Sequence, residues 1–261
     1  MKPISQLREP ERIRGLLFDI DETLTTEGKL TAEAYAALER LKGSGKFLVP
    51  VTGRPAGWCD HIARMWPVDA VVGENGAFYF HFAEGRLHKR FQDPPAARAD
   101  KRARLRVLGE SILAAVPGCA LASDQAYRET DLAIDYCEDV EPLPLEAAER
   151  IAALMRAAGL TAKISSIHVN GWFGNYDKLA MTRTLFDERF GLKLGAAKRE
   201  VVFIGDSPND APLFAYFDHS VGVANVRRFA GRMEAEPKYV TEAASGTGFA
   251  ELAAHLLGRR S

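Results

Sequence analysis

The chain predicts an α/β fold, a doubly wound parallel sheet that carries an inserted α+β domain. Three observations lead there. Short apolar strands alternate with helices from residue 15 to residue 72. The alternation then breaks into clustered strands with two helices, and it resumes after Gly174 with another apolar strand ending in aspartate. Residues 1–82 and 174–261 are therefore assigned to the core, and residues 83–173 to the inserted domain.

The elements follow in order. Leu16 to Ile20 reads as the first strand, running into Asp19, Asp21 and Thr23. Alternate side chains of a strand share a face, so Asp19 and Asp21 leave its carboxyl end pointing roughly the same way. Two carboxylates that close repel unless a cation or a proton sits between them. Thr31 to Leu41 reads as a helix, capped by Thr31 and stopped at Gly43. A second strand covers Lys46 to Thr52, with Pro50 awkward in it because proline cannot donate to a ladder. A helix over Pro55–Met65 and a strand over Asp69–Val72 complete the first half.

The pattern then changes. Ala77–Phe82 and Arg86–Phe91 flank Glu84-Gly85 as a hairpin. A helix from about Ala96 to Val116, strands near Cys119–Ser123 and Asp131–Tyr136, a helix over Leu145–Ala158 and a strand over Thr161–Asn170 make the insert. Its first helix carries Arg98, Lys101, Arg102, Arg104 and Arg106, which in a chain this neutral reads as a solvated face. Beyond it come a helix over Asp177–Phe190, strands at Glu200–Asp206, Ser220–Ala224 and Tyr239–Thr241, and a closing helix over Phe249–Leu257.

Composition excludes several classes. With 34 Lys plus Arg against 35 Asp plus Glu the net charge is −1, which gives no pull towards nucleic acid or an anionic membrane. No apolar run approaches the length of a membrane span, and Met1 to Arg14 lacks a signal-peptide core. Cys59, Cys119 and Cys137 form no CxxC pair, so reduced packing thiols and a cytoplasmic location are expected.

Four groups fall at strand ends or helix starts of the core: Asp19 and Asp21; Thr52-Gly53-Arg54; Lys178; and Gly205-Asp206-Ser207-Pro208-Asn209-Asp210. Together they suit phosphoryl transfer, which needs donors on the equatorial oxygens, a divalent cation and an in-line nucleophile. Clustered carboxylates without a His or Cys cluster favour Mg²⁺ over zinc. Thr52, the Gly53 amide and the helix start behind them supply phosphate donors, and Lys178 a point charge. Each group alone has a plainer reading, as a capped turn, a surface lysine or a Ser-Pro-Asn-Asp turn. One active site explains them all in order.

These residues resemble the four motifs of the haloacid dehalogenase-like (HAD) hydrolases. The insert between the second and third motifs, preceded by Glu74-Asn75-Gly76-Ala77, resembles the cap of their Cof-type branch, subclass IIB. The resemblance implies a Mg²⁺-dependent phosphatase with a Rossmann-like core. Asp19 would attack phosphorus to give an aspartyl-phosphate. Asp21 would protonate the leaving oxygen and later activate water. Mg²⁺ would be held by the Asp19 carboxylate, the Asp21 backbone carbonyl and Asp206, with Asp210 close by. Thr52, Gly53 and Lys178 would bind the phosphoryl group, Asn209 would border it, and Arg54 would reach substrate or phosphate. The family's DxDGT has glycine where this chain has Glu22. In the cap, Arg128, His168, Asn170 and Trp172 are polar or aromatic candidates, with His168 and Trp172 read first as packing or hinge residues.

The implied substrate is a sugar phosphate or a similar small phosphorylated metabolite. A phosphomutase shares this cap class but needs a second phosphate site, for which Arg128 is the one basic candidate. A phospho-accepting signalling domain would also cluster aspartates with a threonine, a lysine and Mg²⁺, but it needs neither the insert nor Asp21.

Overall fold

A computed structural model of the chain describes residues 1–258. The core begins with a short edge strand β1 (Lys2–Pro3), then β2 (Gly15–Phe18), α1 (Ala32–Gly43), β3 (Phe47–Pro50), α2 (Ala56–Met65) and β4 (Val71–Gly73). After β4 come the hairpin strands β5 (Phe78–Ala83) and β6 (Arg86–Phe91). The insert supplies α3 (Pro95–Ala115), β7 (Ala120–Leu121), β8 (Asp131–Asp135), α4 (Leu145–Ala157), β9 (Thr161–Ile164) and β10 (His168–Trp172). The core resumes with α5 (Lys178–Leu185), α6 (Leu194–Ala197), β11 (Val201–Gly205), α7 (Ala211–Tyr216), β12 (His219–Gly222), β13 (Tyr239–Val240) and α8 (Ser245–Leu256).

The main sheet has six strands in the order β1-β13-β12-β11-β2-β3, all parallel, and β4 touches its far end through a Val51–Val72 bridge. Every residue of β2 and β11 is buried, which is why both read as continuous apolar runs. Their side chains divide between two faces. Leu16, Phe18, Val202 and Ile204 pack with α1 and α8, whereas Leu17, Val201 and Phe203 pack with α5 and α7. The sheet is thus wound on both faces, as the alternation predicts. Pro50 is the last residue of β3; the next amide, that of Val51, donates to the Phe18 carbonyl at 2.8 Å, so by the strand's alternation the N–H that Pro50 lacks is not one that faces β2.

The hairpin extends β4 into a separate antiparallel sheet, β4-β5-β6, packed on α2. The expected boundary at residue 82 falls within this hairpin. We propose that the cap be counted from the turn that follows Phe91. Its sheet, β7-β8-β10-β9, is antiparallel and lies against α3 and α4 around Leu105, Ile112, Ile151 and Met155. The single strand expected over Thr161–Asn170 is a strand pair. Ser165 turns the chain, its Oγ accepting from the amides of Ile167 and His168. The closing helix starts a turn earlier than expected, at Ser245. Among the described residues, no helix is long and apolar enough to cross a membrane, and the three cysteines are free thiols.

The chain leaves β2 towards β3 on one side and returns to β11 on the other. The crevice at the carboxyl ends of β2 and β11 is therefore a switch point of the sheet, where such folds place ligands. The cap sits over it.

Candidate active site

Phe18 and Ile204 are paired across β2 and β11, so Asp19 and Asp206 leave neighbouring strands close together. The Asp19 amide donates to the Ile204 carbonyl at 2.9 Å and continues the ladder one residue further. Asp210 folds back through a capping box, its Oδ2 accepting from the amides of Asp206 (3.1 Å) and Ser207 (3.4 Å). This close return explains Gly205: a Cβ there would lie 2.3 Å from Asp210 Oδ2. Lys178 opens α5, whose N-cap Asp177 accepts from the Ala180 amide at 2.7 Å. Its Nζ donates to Asp19 Oδ1 at 3.0 Å and to Asp210 Oδ1 at 2.7 Å.

The carboxylates of Asp19, Asp206 and Asp210 each place an oxygen within 4.8 Å of the others, all buried. Burial pushes the Asp19 carboxyl up to about 7; Lys178 pulls it down, and Asp210 and Asp21 push it further up. Burial, with the charges of Asp19 and Asp210, holds Asp206 well above the usual carboxylate range. Lys178 is raised: burial disfavours its charge, but Asp19 and Asp210 outweigh that. Three buried carboxylates facing the Lys178 ammonium and the half-exposed Arg228 guanidinium need a further cation or protons for neutrality, and every donor is a hard oxygen. The residues fit a divalent cation of the Mg²⁺ type.

Asp21 is placed otherwise. Its carboxylate lies outside that cluster and accepts from Arg54, from Nε at 3.0 Å on both oxygens and from Nη2 at 2.8 Å. The same guanidinium reaches two cap carboxylates, Glu138 Oε1 at 2.5 Å and Asp124 Oδ2 at 3.3 Å, and lies over Trp58 at 4.3 Å. Burial alone would raise Glu138, but His168, 2.8 Å away, and Arg54 bring it down to about 2. Arg128 crosses the seam from the cap side and donates to the Gly53 carbonyl at 2.8 Å. Its other partners are Asp124 and Asp131, and Asn170 in turn donates to Asp131 at 2.9 Å.

Asp19, Asp21, Gly53, Arg54 and Asn209 of the core face Arg128, His168 and Asn170 of the cap across one space of about 10 Å³. That holds about one water molecule, so the cap is shut. Thr52 lies buried beside Gly53, its Oγ1 accepting from the Arg54 amide at 3.0 Å. Asn209 is fixed by Ser207 Oγ at 2.8 Å and by Asn75 Oδ1 at 3.3 Å. His168 is thus more than a packing residue. Trp172 is not brought to the site: it is buried against Tyr176, with Nε1 donating to the Tyr176 carbonyl at 3.2 Å.

Glu22 takes the left-handed backbone (φ 55°) that a glycine would adopt freely. Its side chain is held by Ser245 Oγ at 3.1 Å and the Gly28 amide at 3.4 Å, and its carbonyl by Asn225 Nδ2 at 3.0 Å. Sequence reasoning missed Asp124 and Glu138 on Arg54, and Thr23, Asn225 and Arg228 around Asp206. Thr23 alone had a signal, its place in the DxDxT run.

Residues 16–94 match the haloacid dehalogenase-like hydrolase family. No curated protein matches the chain. Among solved structures, the chain is similar to the C-terminal domain of the C. albicans trehalose-6-phosphate phosphatase, with a TM-score of 0.70 and 14% identity over 100% of this chain and 99% of that one. It is similar to the sucrose-phosphatase of Synechocystis sp. PCC6803, solved with sucrose and phosphate, with a TM-score of 0.61 and 16% identity over 93% and 97%. A HAD superfamily phosphatase from Bacteroides thetaiotaomicron gives 0.61 and 21% over 96% and 97%. At these identities the shared property is the fold, core and cap together.

Proposed function

We propose that the chain is a Mg²⁺-dependent phosphomonoester hydrolase that works through an aspartyl-phosphate on Asp19. The observation that carries this reading is the buried Asp19 carboxylate, bonded to Lys178 at 3.0 Å and grouped with Asp206 and Asp210. Asp19 attacks phosphorus, and the bond to the leaving oxygen breaks as Asp21 protonates that oxygen. Asp21 then takes a proton from water, which attacks the phosphoryl group and frees Asp19. Thr52, the Gly53 amide and Lys178 hold the phosphoryl oxygens, with Asn209 at their border. Asp19, Asp206 and the Asp21 carbonyl would hold Mg²⁺, with Asp210 close by. When bound, the ion supplies positive charge to the transferring group.

In the closed form Arg54 holds the Asp21 carboxyl group from Nε and Nη2. Asp124 and Glu138 give the guanidinium other partners when Asp21 turns towards a leaving oxygen. The shut cavity requires the cap to open for substrate and close over it, which excludes water from the reacting group. Its lining by Arg128, Ser165, His168 and Asn170 suits a small, hydroxylated leaving group, such as a sugar. The sugar-phosphate phosphatases among the similar folds point the same way. Against the mutase reading counts that Arg128, its candidate for a second phosphate site, already bonds Asp124, Asp131 and the Gly53 carbonyl. Three free thiols accord with a cytoplasmic location.

The test is phosphate release, with Mg²⁺, from a panel of sugar phosphates and small phosphomonoesters by wild type and Asp19→Asn. Release that the variant abolishes is the expected result. No release from any compound, or undiminished release by the variant, would overturn the proposal.

A further inference from the structure

Between β4 and β5 the chain makes a turn, Glu74-Asn75-Gly76, with positive φ at all three residues (41°, 55° and 103°). Glycine and asparagine tolerate that backbone, but a glutamate there is costly and needs compensation. Glu74 is fully buried, and four donors converge on its carboxylate. Oε1 accepts from the amide of Ala56, the first residue of α2, and from the amide of Glu129 in the cap, both at 2.9 Å. Oε2 accepts from the Thr130 amide at 2.7 Å and from the Thr130 hydroxyl. One core side chain thus grips the cap loop that carries Asp124 and Arg128.

The rest of the turn touches each part of the phosphate site. The Glu74 and Asn75 amides donate to the carbonyls of Arg54 and Thr52, both at 3.1 Å. Asn75 Oδ1 accepts from Asn209. Asn75 Nδ2 is buried with no partner among the described residues, and a Cβ on Gly53 would lie 3.2 Å from it. Gly76 lies so close to the start of α5 that a Cβ on it would fall 2.0 Å from the Asp177 carbonyl, beside Lys178.

We infer that this turn couples cap closure to phosphate binding, and that Glu74 is the positioning residue that transmits it. Filling the phosphate site tightens Thr52, Asn75, Asn209 and Lys178 around the turn, and Glu74 passes that order to Glu129 and Thr130. Coupling between sites is reciprocal, so a seated cap also favours a bound phosphate. The inference rests on the proposed function only in the identity of the ligand.

The experiment is amide hydrogen exchange on the full chain with Mg²⁺, with and without inorganic phosphate, for wild type and Glu74→Gln. Gln keeps the length but points a donor at donors. In wild type, phosphate is expected to slow exchange at Glu129 and Thr130 about tenfold, within the usual range of coupling. In the variant that phosphate-induced slowing is lost. A merely structural role would speed exchange equally in both conditions and leave their ratio unchanged, and that result overturns the inference. So does a wild type in which phosphate leaves the two amides unaffected. If Glu74→Gln does not fold, Thr130→Val removes one donor from the cap side and is expected to reduce the ratio. An undiminished ratio there overturns the inference equally. The readout needs no turnover, so it fails separately from the phosphatase reading.

Discussion

Lys178→Met tests how the site carries its charge. Lys178 is buried, its side chain 1% exposed, and it is the ammonium bonded to both Asp19 and Asp210. Methionine keeps the stem and removes the charge, leaving three buried carboxylates facing one another. Breaking a buried ion pair by removing one partner costs about 3–5 kcal/mol. For a chain of this size each kcal/mol moves the unfolding midpoint by roughly 2–4 °C, so a loss on the order of 10 °C is expected in chelator. The loss depends on pH in a definite sense. Without the ammonium the folded-state carboxyls of Asp19 and Asp206 sit even higher above their unfolded values, so the deficit is small in acid, where they are protonated. It grows as pH rises through about 7, the value to which Asp19 is already pushed. A divalent cation supplies the missing positive charge, so added Mg²⁺ is expected to restore much of the midpoint at alkaline pH, and more than it adds to wild type. Thermal unfolding of both proteins, with chelator and with Mg²⁺, on either side of neutrality, measures all of this. A variant that melts with wild type in chelator, or whose deficit ignores pH and Mg²⁺ alike, would refute the charge argument.

Other consequences follow from the same geometry. Burial holds Asp19 near 7 and Asp206 well above its usual range while no cation is bound, so Mg²⁺ binding must displace protons. Titrating Mg²⁺ into weakly buffered protein near neutrality is expected to release acid, and the apparent affinity to rise with pH; a pH-independent affinity would count against these residues as ligands. At Glu22, Ala keeps the left-handed strain (φ 55°) and loses the Ser245 and Gly28 contacts, whereas Gly loses the contacts and the strain together. Glu22→Gly is therefore expected to be more stable than Glu22→Ala by about 1 kcal/mol in urea unfolding, and the reverse order would show that backbone strain is not what separates them.

What the sequence revealed and what it hid divide along one physical line. The core motifs are local: each is an apolar run whose last residues hang at a strand's carboxyl end, so the alternation of strands and helices puts Asp19 and Asp206 at the same end of one parallel sheet, and the β2–β11 pairing makes them neighbours. Thr52 and Lys178 follow because each stands at a junction of strand or loop with helix. Small misreadings were local as well. The serines at 165 and 166 interrupt a run that otherwise alternates like one strand, and hydroxyl-to-amide bonds make that interruption a turn. The cap seam is of another kind. Asp124, Arg128 and Glu138 lie in polar loops flanking the short strand β8, where charges ordinarily face water and carry no periodic signal. Asp124 and Glu138 become partners of Arg54 only because the whole cap descends on it, and no window of neighbouring residues encodes that descent. Glu74 shows the same limit from the core side. The Glu-Asn-Gly-Ala run was visible as part of a resemblance, but its glutamate acquires its four donors only from α2 and from a cap loop 55 residues further on. Chemistry that one strand end can hold is legible in a sequence, whereas chemistry that waits for two domains to meet is carried by charges indistinguishable, before folding, from those of an ordinary surface.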